Sequence, residues 1–128
     1  MTIAFVNNQL HLGGAETVMN QLRAGVERAG HVTRCHIAHG KRYPPDVQPL
    51  YPRWLSRLSH SRLHPLIERL FPRAVWTDRA FRRLASGDAG VVHVHNFHGD
   101  YATVPSLAHL ARRKPVVWTF HAFWGITG

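Results

Sequence analysis

Four short strand-like runs, separated by segments with helical periodicity, constrain this chain more than any other feature of its 128 residues. The first, at 2–7, is almost continuously apolar and closes in Asn7-Asn8, the pattern of a buried strand in a parallel sheet. A loop ending in Gly13-Gly14 follows. Ala15, Val18, Met19, Leu22, Val26 and Ala29 then recur at helical spacing, and Gly30 stands where a C-terminal cap belongs, so the pattern predicts a helix over 15–29. Val32, Cys35, Ile37 and Ala38 mark a second strand over 31–38. Strand, glycine turn, helix, strand is a βαβ unit, whose crossover is right-handed and whose strands are parallel.

The third and fourth runs lie at 91–95 and 116–120, with a helix expected over 102–113 between them and Pro105 in its first turn. The alternation argues for one α/β layered domain over 1–128. In such sheets, ligands bind beyond the carboxyl ends of the strands. Three of the four strands end there in polar residues: Asn7-Asn8, His93-Val94-His95-Asn96 and Thr119-Phe120-His121.

The middle of the chain is different. Pro44, Pro45, Pro49 and Pro52 preclude long regular structure over 40–52. Apolar residues return at helical spacing over 54–84, divided by Pro65 and Pro72 into two or three short helices. This stretch also carries the charge. The chain has a formal net charge of +9, and residues 41–83 hold ten of its sixteen basic residues against three acids. Fourteen of the sixteen are Arg, which suits bidentate contact with phosphate or carboxylate. Tyr43, Tyr51, Trp54, Phe71, Trp76 and Phe81 are interleaved. Three readings remain open: an anionic membrane surface meeting Arg53, Arg57, Arg62, Arg69 and Arg73, phosphate-backbone binding to nucleic acid, or a solvated face over buried aromatics.

Other classes are disfavoured. Cys35 is the single cysteine, so no internal disulfide forms and a reducing compartment is expected. The N-terminus lacks a basic region and long apolar run, and no stretch approaches 18 apolar residues. No nucleophile triad or carboxylate pair stands out. His93 and His95 share one strand face and His98 is near, but with only Asp100 to complete a set, no metal is expected. Gly13-Gly14 would let a phosphate approach the backbone at a helix N-terminus, with Glu16 turned aside because its charge opposes that phosphate.

Read together, Ile3 to Asn8, then Gly13-Gly14-Ala15-Glu16, Gly30-His31-Val32-Thr33, Val91-Val92-His93-Val94-His95-Asn96, and Pro115 to His121 followed by Trp124 and Thr127-Gly128 resemble family 4 glycosyltransferases of the GT-B type. The order matches along the whole chain except 40–88. The resemblance implies a Rossmann-like parallel sheet flanked by helices, the incomplete N-terminal half of a GT-B fold. It implies a retaining, metal-independent transferase that uses a nucleotide sugar as substrate and needs no further cofactor. Gly13 and Gly14 would face the donor diphosphate, His121 would lie beside the transferred sugar as the catalytic residue, and His95, Asn96 and Asp100 would border the cleft for a glycan or lipid-linked acceptor. Residues 41–86 would be a variable basic helical insert facing that acceptor or a membrane. Ala122 stands where a bacterial subgroup has Asp, and Gly125 where it often has Pro. The donor-binding C-terminal domain lies outside the sequence, so this chain alone is expected to be inactive, cytoplasmic, and peripheral at the inner face of the membrane, with nucleic acid an unfavoured partner. The alternative is a non-catalytic basic module on anionic membrane or nucleic acid.

Overall fold

The computed structural model describes residues 1–11, 13–40, 43–58, 64–97 and 102–121. The elements run β1 (Thr2–Asn7), α1 (Gly14–Arg28), β2 (Val32–Ile37), β3 (Val47–Pro49), α2 (Arg53–Leu58), α3 (His64–Leu70), α4 (Arg73–Ser86), β4 (Val91–His95), α5 (Val104–Ala111) and β5 (Val116–Thr119). The five strands form one parallel sheet in the order β3-β2-β1-β4-β5. The chain therefore builds outward from β1 on one side, returns, and builds outward on the other. That reversal opens a crevice at the carboxyl ends of β1 and β4, as in Rossmann-like folds.

Side-chain alternation divides the core between the two faces of the sheet. Phe5, Cys35, Ile37 and Val47 point to the face that α1 covers with Met19. Ala4, Val6, Val92 and Val94 point to the opposite face, where Leu55 of α2, Ile67 of α3, Phe81 and Leu84 of α4, and Leu107 and Leu110 of α5 pack on them. Each fully buried Phe, Leu or Val contributes roughly 1.5–3 kcal/mol. Ile3 to Val6 of β1 are all apolar because the strand is central and covered on both faces.

Local chemistry explains the element ends. Helix α1 stops because Gly30 adopts φ +84°, which lets its N–H and that of His31 reach back to the carbonyls of Glu27 and Val26. In α5, Thr103 Oγ1 accepts the N–H of Ser106 at 3.3 Å, and Pro105 occupies the first turn, where its missing N–H costs nothing. Pro65 lies in the first turn of α3 and Pro72 immediately precedes α4, so the prolines divide the segment into three helices.

The structure adds one element to the sequence reading. The proline-rich stretch 40–52 contains β3, which pairs Val47 with Cys35 and Pro49 with Ile37. A three-residue strand at a sheet edge tolerates proline because no further strand needs its N–H. The expectation of a solvated face over buried aromatics is also divided. Tyr51 and Phe81 are buried, whereas Trp54 and Phe71 are exposed and meet edge to face at 5.4 Å.

Candidate functional site

Polar side chains collect at the carboxyl ends of β1, β4 and β5, beside the turn into α1. Asn7 closes β1 and is fully buried; its Oδ1 accepts the N–H of Asn8 at 2.8 Å, while its Nδ2 has no partner among the described residues. A buried amide donor is costly to leave unmade. Its neighbour across the crevice is the histidine-bearing end of β4.

His93 and His95 share the α1-side face of β4, with ring centroids 4.2 Å apart. The parallel register sets His93 against Val117 and His95 against Thr119. Each histidine then reaches two residues farther along the chain, His93 within β5 and His95 just past its end. His93 Nε2 meets Thr119 Oγ1 at 2.7 Å, and His95 Nδ1 meets His121 Nε2 at 2.9 Å. Phe5 lies under both β4 rings.

Burial dominates the electrostatics here. Desolvation, with the neighbouring His93 and His121, pushes the His95 imidazole down to about 3. Desolvation and His121 also lower His93. His95 is thus neutral near pH 7, with one ring nitrogen donating and the other accepting. Its contact with His121 fixes the orientation of the His121 ring and leaves His121 Nδ1 as that ring's second hydrogen-bonding atom.

The glycine turn is tied to the same crevice. Gly13 is extended and precedes α1 without a side-chain cap. Its glycine character answers a close approach: a Cβ there would come within 2.5 Å of Glu16 Oε2. Glu16 is buried at 6 % exposure and accepts from Asn96 Nδ2 at 3.3 Å. The carboxylate therefore folds in over Gly13 rather than turning aside as the sequence suggested. The attraction is the Asn96 amide, which lies 80 positions away in sequence. Asn96 sits at φ 45°, the left-handed region that Asn tolerates better than most residues. Gly14, by contrast, has open space where a Cβ would stand.

The structure thus brings together Gly13, Glu16, Asn96, His95 and His121. His95 is fully buried, so its contact is with His121 rather than with solvent. Asp100 and His98 lie outside the described residues, as do Arg62 and the stretch from Ala122 to Gly128. The sequence reading missed the Glu16–Asn96 bond and the buried Asn7. Asn7-Asn8 closing an apolar strand was the available signal for the latter. No group of three or more His, Cys, Asp or Glu suited to a metal occurs among the described residues.

Of the candidate anion patch, Arg53 and Arg69 are exposed on α2 and α3; Arg57 and Arg73 belong to α2 and α4, with side chains outside the described set. Arg79 lies over the Trp76 ring at 4.9 Å. Leu66 and Leu70 of α3, Val75 of α4 and Phe71 between the two helices are exposed. Among the described residues, no helix is long and apolar enough to cross a membrane.

A family model described as Glycosyltransferase Family 4 matches residues 12–127. No curated protein matches the chain.

Proposed function

The chain belongs to glycosyltransferase family 4, and from that premise we propose that it forms the acceptor-side half of a nucleotide-sugar-dependent transferase. The observation that carries this reading is the linked crevice from Gly13 through Glu16 and Asn96 to His95 and His121. The open backbone at Gly14 and the first-turn N–H groups of α1 receive the donor diphosphate, where the helix terminus favours negative charge. Asn96 holds the Glu16 carboxylate over Gly13, which leaves Gly14 as the open approach. His121, steadied by His95, presents its second nitrogen to the transferred sugar. A glycan or lipid-linked acceptor enters past Asn96 and the segment containing Asp100. Catalysis requires a donor-binding half to complete the site, so this domain alone binds without turning over.

Pyrophosphate titration followed by amide NMR tests the phosphate site. The amides of Gly14 and Ala15 are expected to shift saturably, and Gly14→Ala is expected to weaken the effect about tenfold, because its methyl group takes the open space through which the diphosphate approaches the backbone. Shifts confined to other parts of the chain would overturn the assignment.

A second observation favours attachment to an anionic membrane surface. Trp54, Leu66, Leu70, Phe71 and Val75 are exposed beside Arg53, Arg69 and Arg79. Apolar side chains that enter the interface while Arg meets headgroups would bring a lipid-linked acceptor to the crevice. Co-sedimentation with anionic vesicles is expected to weaken with salt and to be lost in Leu70→Asp. Equal binding to neutral vesicles at high salt would exclude the electrostatic part.

A further inference from the structure

A second polar cavity lies across the sheet from the histidine cluster. It has a volume of about 170 Å³ and sits between β2, β3 and α4. Ala4 of β1 and Ala80 and Leu84 of α4 give it an apolar floor and wall. Its polar lining is Arg34 and His36 of β2, Gln48 of β3, Arg83 of α4, and Asp88 in the turn after α4.

The charges around this cavity are not balanced. Arg34 Nη2 pairs with Asp88 Oδ2 at 2.7 Å. Arg83, on the facing helix, has no carboxylate partner among the described residues. His36 is largely buried between them, and its Nε2 has no hydrogen-bond partner among the described residues. Two arginines, one aspartate and a neutral histidine leave one net positive charge beside a space larger than a single water fills. Arginines from two elements that line a partly apolar space match an oxyanion carried on a small organic group.

We propose that this cavity binds a small oxyanion, a phosphate or a carboxylate, through Arg83 and Arg34, and that its occupancy is coupled to protonation of His36. The coupling is electrostatic. Burial, reinforced by the positive charges of Arg34 and Arg83, pushes the His36 imidazole down to about 4. An anion between the two arginines offsets the repulsion they exert on the imidazolium. The groups facing His36 are Arg34 on its own strand, Arg83 from α4 and Asp88 from the turn. An anion there also ties α4 to β2, the strand whose other neighbour is the central β1.

The test uses inorganic phosphate and malonate as separate probes, each against sodium chloride at matched ionic strength, with the His36 ring followed by NMR. Phosphate or malonate is expected to raise the His36 titration midpoint saturably, by about one unit or more, while chloride does not. The probe that acts identifies the oxyanion class. Arg83→Gln, a change at an exposed position, is expected to weaken the active probe about tenfold or more and to remove its stabilisation of the fold against heat. Arg79→Gln, on the same helix but outside the cavity lining, is expected to leave both intact. No saturable response to either probe, or an equal response in Arg83→Gln, would overturn the proposal.

Discussion

Adjacent glycines at 13 and 14 carry opposite loads. At Gly13 a methyl group meets Oε2 of the buried Glu16 carboxylate, so Gly13→Ala must shift that carboxylate, whose Oε1 accepts from Asn96. Weakening that hydrogen bond is expected to cost about 1 kcal/mol, read as a lower denaturation midpoint in urea. At Gly14 the space is open and the residue begins α1, where alanine is the better helix former by up to about 1 kcal/mol. Gly14→Ala is therefore expected to keep or raise stability while weakening diphosphate binding. A stability loss equal to that of Gly13→Ala would show that both glycines serve packing alone. The neighbouring histidine pair separates in the same way. His95→Phe keeps an aromatic ring against Phe5 but removes the nitrogen that His121 faces. The 15N signature of His121 Nε2 should then move toward that of a solvated ring, with the fold intact. An unchanged His121 spectrum would remove His95 from its positioning role.

Helix ends and strand edges mark how far the sequence could be read. Strands β1, β4 and β5 were legible as short apolar runs, and β2 by the partial alternation of Val32, Cys35 and Ile37. Helix α1 was legible because its apolar stripe is regular and Gly30 ends it. Strand β3 was hidden, since three edge residues carry too little periodicity and Pro49 argues against a strand unless its edge position is known. The histidines were visible as strand-end residues, but their pairing depends on register, which the sequence does not encode locally. The Glu16–Asn96 bond was illegible for the same reason. Helix α5 shows a junction of this long-range kind. Thr103 caps Ser106, and Ser106 Oγ in turn donates to Asp78 Oδ1 of α4 at 2.7 Å. Those contacts hold the Asp78 carboxyl below its usual range, with Ser106 contributing more than Arg82. Thr103→Ala is expected to destabilise the protein by about 1 kcal/mol through the lost cap. Ser106→Ala is expected to raise the Asp78 titration midpoint as well, which NMR of the carboxyl carbon reads. An Asp78 midpoint unmoved by Ser106→Ala would separate the two helices electrostatically.

Across the whole molecule, burial of histidine on both faces of one sheet sets the response to acid. His36 lies on the face covered by α4, and His93 and His95 lie on the α1-side face at the crevice. Burial pushes His36 down to about 4 and His95 to about 3, and lowers His93. The unfolded chain binds these protons near pH 6.5. Native values below the unfolded one mean that unfolding takes up protons, so stability is fully present above about pH 6.5. It falls as the pH drops from there through the native values, by about 1.4 kcal/mol per pH unit for each proton taken up. Asp46 and Asp78 are also lowered, by Arg23 and by Ser106 respectively, but their unfolded values lie near 4, so they add to the loss only in stronger acid. Between pH 6.5 and about 4.5 the buried histidines therefore dominate. Urea midpoints measured at half-unit steps are expected to hold steady from pH 8 to 7 and to decline below 6.5. His36→Gln, which removes one of the protons taken up, is expected to make the decline shallower by up to one proton's slope whatever it does to the midpoint at pH 7.5. A decline of unchanged slope in that variant would assign the acid response elsewhere in the chain.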